Sequence, residues 1–111
     1  MSSAIAEGDW KVLREIHRVA LDRFCERVLG EIAAVAVDAG RGNHERYLAV
    51  RGIIKRRDLE LADAFDDLRR SNALMKLACI QSHGLVTDDE FDRFSAETRD
   101  KVRALVDTAR S

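Results

Sequence analysis

The stretch HERYLAVRGIIKRRDLELADAFDDLRRSNALMKLACIQSHG, residues 44–84, decides the fold. Within it Tyr47, Ile54, Leu61, Leu68 and Met75 follow one another at intervals of seven, with Val50, Ala64 and Ala78 at companion positions. Apolar side chains returning at this period share one face of a helix, whereas a strand would alternate every second residue. Neither glycine nor proline occurs between Gly52 and Gly84. The spacing therefore predicts one continuous helix over 44–83, ~60 Å long at 1.5 Å per residue.

Upstream, Gly40-Arg41-Gly42-Asn43 reads as a turn, and Asn43 is a suitable cap for the helix that follows. Before the turn, Trp10, Leu13, Ile16, Ala20, Phe24, Val28, Ile32 and Val35 recur at three- and four-residue steps. They predict a first long helix over 9–39 with Asp9 as its N-cap. Downstream, Thr87-Asp88-Asp89-Glu90 is a capping box, flanked by Val86 and Phe91 as a hydrophobic staple. It opens a short helix over 88–94. Ser95 offers a second cap for a helix over 96–109. His83, just before Gly84, is placed to meet the last carbonyls of its helix.

Composition agrees. Of 111 residues 46% are apolar, 35% charged and only 5% aromatic, with no proline and 6 glycines. That is enough apolar side chain for a packed core and too little turn and strand chemistry for a sandwich or barrel. The expected architecture is a single all-α domain over 1–111. A net charge of −1 excludes a generally basic nucleic-acid binder. No window approaches the ~18 uncharged residues of a membrane span, and residues 1–7 lack a basic segment followed by an apolar run. No membrane association and a cytoplasmic location are expected.

Folding the two long helices into an antiparallel hairpin about the 40–43 turn would bring Gly30 opposite Gly52, a point of close backbone approach. It would also hold Cys25 and Cys79 ~30 Å apart. The two cysteines are thus expected as separate reduced thiols. A helix of ~60 Å is far longer than a domain of this size needs, given a radius of gyration of ~13 Å for 100 compact residues. It carries more apolar face than its own chain can cover, so a second copy related by a two-fold axis is expected to complete a helical bundle. Charge suggests a register. Residues 41–57 hold Arg41, Arg46, Arg51, Lys55, Arg56 and Arg57 against Glu45, whereas 58–67 hold Asp58, Glu60, Asp63, Asp66 and Asp67 without a base. Antiparallel pairing about the 57/58 boundary sets Arg57 against Asp58 and Ile54 against Leu61 of the other copy, and Tyr47 against its Leu68. Those six residues form the expected dimer interface. The alternative is a solvated face with intrahelical pairs such as Arg56 with Glu60.

Chemical motifs are absent. There is no Glu-x-x-His pair for a di-iron bundle and no HExxH. The acidic run 88–92 lacks the glycine and the spacing of a calcium loop. Gly40-Arg41-Gly42 lacks the strand and the Lys-Ser/Thr of a phosphate loop. His17, His44 and His83 lie far apart and accompany no nucleophile at a recognisable spacing. No catalytic residue, metal ligand or cofactor is expected. Arg57, Asp58, Ser71 and Asn72 are polar interruptions of the seam, able to fix register or to line a small site. The favoured reading is a non-catalytic helical interaction protein, an adaptor, regulator or assembly factor, that pairs with itself and serves another protein. The second is a nucleic-acid-binding bundle with Arg41, His44, Arg46, Arg51, Lys55 and Arg56 on phosphates. A small helical enzyme with a polar site in the bundle is the third.

Overall fold

The computed structural model describes residues 5–110, and among them every regular element is helical. The N-terminal segment inspected for a targeting signal falls outside the described residues at positions 1–4. Helix α1 spans Glu7–Ala36, α2 Asn43–Phe65, α3 Ala73–Ser82, α4 Asp88–Phe91 and α5 Ala96–Arg110, and a single 3-10 turn, Arg70–Asn72, precedes α3.

The continuous helix expected over 44–83 is broken. After Phe65 the chain leaves the helix at Asp66, whose backbone is extended, and Asp67 takes a left-handed φ of 58°. Asp and Asn tolerate that region and offer the backbone local hydrogen bonds that compete with a helix. Asn72 supplies them here: its Oδ1 accepts from the Arg69 amide at 2.8 Å and its Nδ2 donates to the Asp67 carbonyl at 2.8 Å. Arg69 also pairs with the Asp67 carboxylate. The larger cause is tertiary. Turning α3 back buries Ala73, Leu77, Ala78 and Ile80, which an outstretched helix would leave in water.

The core consists of two clusters spanned by α3. Leu13 and Ile16 of α1 meet Ala73, Leu77 and Ala78 of α3, with Phe91, Phe94 and Val102 closing the far side. Ala20 and Phe24 meet Ala64 and Phe65 of α2, Ile80 of α3 and Leu85. Helix α3 thus packs on α1, α2 and α5. Leu68 is half-buried against the first cluster, and Met75 leaves the heptad row for solvent. Cys25 and Cys79 pack on the same second cluster, which replaces the wide separation expected from a straight helix, and both are free thiols. Burial pushes the Cys79 thiol pKa up. The expected approach of Gly30 to Gly52 is not formed. A Cβ at Gly30 would meet nothing within 4 Å, and one at Gly52 only the Arg56 guanidinium.

Long-range polar contacts dock the C-terminal third. Asp9 does not cap α1, which starts at Glu7. Its buried carboxylate instead accepts from the Ser95 amide at 2.8 Å and from the Ser95 and Thr98 hydroxyls at 2.7 Å each. Ser95 also accepts from the Thr98 amide at 3.3 Å, so the cap expected there is present. Arg27 donates to the His83 and Gly84 carbonyls at 2.6 and 3.1 Å. It takes the role expected of the His83 side chain, whose ring stands edge-on to Phe24. Arg23 donates to the Leu85 carbonyl at 2.9 Å and grips both oxygens of Glu90.

The Thr87 capping box forms as expected, with Glu90 N donating to Thr87 Oγ1 at 3.1 Å and Thr87 N to Glu90 Oε1 at 2.9 Å. The helix it opens ends at Phe91 rather than 94, because Ser95 and Asp9 already start α5. Thr87→Ala is expected to cost about 1 kcal/mol, the usual loss for an N-cap. Chemical denaturation of variant and parent checks this, and equal midpoints would show the cap to be idle.

Candidate interaction surface

Contacts between α1 and α2 run in opposite order along the two helices. His17 Nε2 lies 3.0 Å from the Phe65 carbonyl, the Phe24 ring packs tilted against the Phe65 ring at 5.9 Å, Glu31 pairs with Arg57, and Arg46 reaches the Ala36 carbonyl at 2.7 Å. The two core clusters draw on α1 no further along than Phe24 for their buried side chains. Beyond that point α1 and α2 have chiefly each other, and the molecule is accordingly drawn out to 55 × 25 × 24 Å.

Two helices in contact leave a groove on each flank, and one flank here is apolar. Cys25 follows the buried Phe24 by one residue and so projects about 100° further round α1. Cys25, Leu29 and Ile32 continue that row at steps of four and three. With Phe24 and Val28 they face Ile54, Arg57, Asp58 and Leu61 of α2 across a groove of about 380 Å³. A shallower cleft follows towards the turn, between Ala36, Asn43, Arg46, Tyr47 and Val50. The exposed apolar side chains are large: Leu29 is 64% exposed, Tyr47 64% and Ile54 44%. Contiguous apolar surface of this kind marks association sites.

Of the six residues expected at a dimer interface, the groove collects Ile54, Arg57, Asp58 and Leu61, and Tyr47 borders it. Leu68 is not among them, since it lies past the end of α2 and packs on the core. Arg57 is engaged within its own chain. It donates to both Glu31 oxygens at 2.8 and 3.0 Å and to Glu60 at 2.6 Å. Its hydrogen bonds to Glu31 first, then to Glu60, drive the guanidinium pKa further up, and Arg57 holds the Glu31 carboxyl below its ordinary range. A register centred on 57/58 thus lacks both its arginine and its outer leucine. What reading α2 alone missed is the α1 wall of the groove, whose signal was the Cys25, Leu29, Ile32 row beside the core row.

The basic segment is divided. Arg41 pairs with Asp38 at 3.3 Å, and Arg46 folds onto Ala36 and Asn43. His44, Arg51 and Lys55 share the exposed outer face of α2, interspersed with Leu48 and Leu59. Arg56 points about 100° away from Lys55. A small pocket of about 140 Å³ lies where α1, α2 and the end of α3 meet, lined by Arg27, Glu31, Arg57, Glu60 and His83 among others. Both its carboxylates pair with Arg57, and Arg27 balances the remaining charge. A second apolar cleft of about 390 Å³ runs between α3 and α5, past Leu74, Met75 and Leu105. It exists only because the chain turns at 66–72.

Among the described residues no cluster of three or more His, Cys, Asp or Glu side chains is arranged to hold a metal ion, and no helix is long and apolar enough to cross a membrane. No protein family, no curated protein and no solved structure matches the chain.

Proposed function

We propose that this chain is a non-catalytic helical interaction protein, an adaptor, regulator or assembly factor, whose working form is a homodimer. In this reading α1 and α2 form an antiparallel hairpin that projects from the α3–α5 body. The observation that carries it is the apolar groove along the hairpin, with Leu29 and Ile54 exposed on its two walls. Covering apolar surface stabilises association by roughly 25 cal/mol per Å² before entropy is subtracted. A two-helix flank is completed most simply by another of its kind, as a four-helix bundle.

Sedimentation equilibrium over a dilution series tests this. The parent is expected to dimerise, and Ile54→Glu, which sets an unpaired charge in the groove, is expected to be monomeric with an unchanged circular dichroism spectrum. A parent that stays monomeric at every concentration would end the homodimer reading.

A further inference from the structure

Arg51 and Asp58 stand seven residues apart on α2, so they project within about 20° of each other and lie ~10 Å apart along the helix. Both are exposed, and among the described residues neither makes an ion pair or a hydrogen bond. Asp58 lies on the rim of the apolar groove, one turn from Ile54. An unpaired arginine and an unpaired aspartate beside a large apolar surface are complementary to their own image turned end for end.

We propose that the groove is filled by a second copy of this chain, its α2 antiparallel to the first, about a two-fold axis passing between Ile54 and Lys55. The inference rests on the homodimer reading above and fixes its register. Arg51 then faces Asp58 of the second copy and Asp58 faces its Arg51, each pair ~5 Å to one side of the axis. Ile54 lies next to the axis, and Tyr47 comes over Ala62 of the second copy, where a small side chain leaves room for the ring. A parallel pairing would oppose like charges at both positions, so the charges select the antiparallel arrangement. Rotation about such an axis keeps both α1 helices on one side of the α2 pair. The two Cys25, Leu29, Ile32 rows therefore face each other over the shared groove. The α3–α5 body packs on the α1 face that carries Leu13, Ile16 and Ala20 and on the side of α2 that carries Ala64, which projects about 120° round the helix from Asp58. Arg57 keeps its bonds to Glu31 and Glu60.

Charge reversal in the whole chain tests the register. Arg51→Glu sets like charges together twice per dimer and is expected to raise the dissociation constant about tenfold, equivalent to about 1.4 kcal/mol. Adding Asp58→Arg restores opposite signs and is expected to bring it back to the parental value. Both positions are exposed, so circular dichroism and the melting temperature of the isolated chain should stay at parental values. A dimeric parent with this loss and recovery supports the register. A dimeric parent with unchanged Arg51→Glu affinity, or with no recovery in the double variant, overturns the register and leaves the homodimer standing. A monomeric parent overturns both and gives the groove to a different occupant.

Discussion

Asp9→Ala should cost the folded chain about 3 kcal/mol and loosen α5 first. Asp9 is only 5% exposed and accepts three hydrogen bonds from the start of α5. Removing the carboxylate leaves the buried Thr98 hydroxyl and the Ser95 amide and hydroxyl, at the edge of the site, short of an acceptor, and each such loss costs about 1–3 kcal/mol where water does not replace it. Part of this is recovered where the hydroxyls turn to other acceptors. Burial raises the Asp9 pKa, but hydrogen bonds from Ser95 and Thr98 and the charge of Arg99 outweigh it, so the carboxyl lies below its ordinary 3.8. A depressed carboxyl stabilises fully above the unfolded value, and the contribution is lost as pH falls through the lower folded value. Glu90, held down to about 2 chiefly by the Arg23 guanidinium, has the same sign. The parent should therefore lose stability between pH 4 and pH 2, roughly the interval between ordinary and depressed carboxylates. Asp9→Ala should lose less there, because one of the depressed carboxyls is gone. Denaturation midpoints against pH measure this, and amide exchange in α5 locates it. A variant as stable as the parent at pH 7 would show that Asp9 is not the tie between α1 and α5.

How far the fold was legible depended on whether its cause was local. The α1 row from Leu13 to Phe24 and the Thr87-x-x-Glu90 box are local signals, and both stand in the structure as read. Asp9 reads locally as the N-cap of α1 but lies inside that helix and ties down Ser95 and Thr98 instead, a role no local spacing reveals because Ser95 lies 86 positions away. The break after Phe65 carries no glycine or proline. Its only local marks are Asp66, Asp67 and Asn72, residues that a helix also accepts, and what tips the balance is the apolar face of α3 seeking cover. The candidate site was half legible for a related reason. Tyr47, Ile54 and Leu61 announce one wall by their period, whereas Cys25, Leu29 and Ile32 adjoin the core row of α1 and merge with it in a one-dimensional reading.

The break also reverses an order of sensitivities, and the second large effect follows from that. A continuous helix would put Met75 in the seam row with Tyr47, Ile54, Leu61 and Leu68, and would leave Leu77 outside both apolar rows. In the folded chain Leu77 is 0% exposed, packed among Leu13, Ile16, Phe94 and Val102, while Met75 is 61% exposed. Leu77→Ala removes a branched side chain from the place where α1, α3 and α5 meet, and those backbones are held apart by their other contacts. The loss should be about 3 kcal/mol, within the 2–5 kcal/mol of buried leucine truncations that leave a cavity. Leu77→Met keeps the volume and should cost less than about 1.5 kcal/mol. Met75→Ala should change stability by no more than about 0.5 kcal/mol. Urea denaturation of the three variants decides between the two placements, with the slope of the transition read alongside the midpoint so that a change in the unfolded state is not mistaken for a change in packing. A costly Met75→Ala beside a harmless Leu77→Ala would restore the unbroken helix, and with it an α2 long enough to reach the register centred on 57/58.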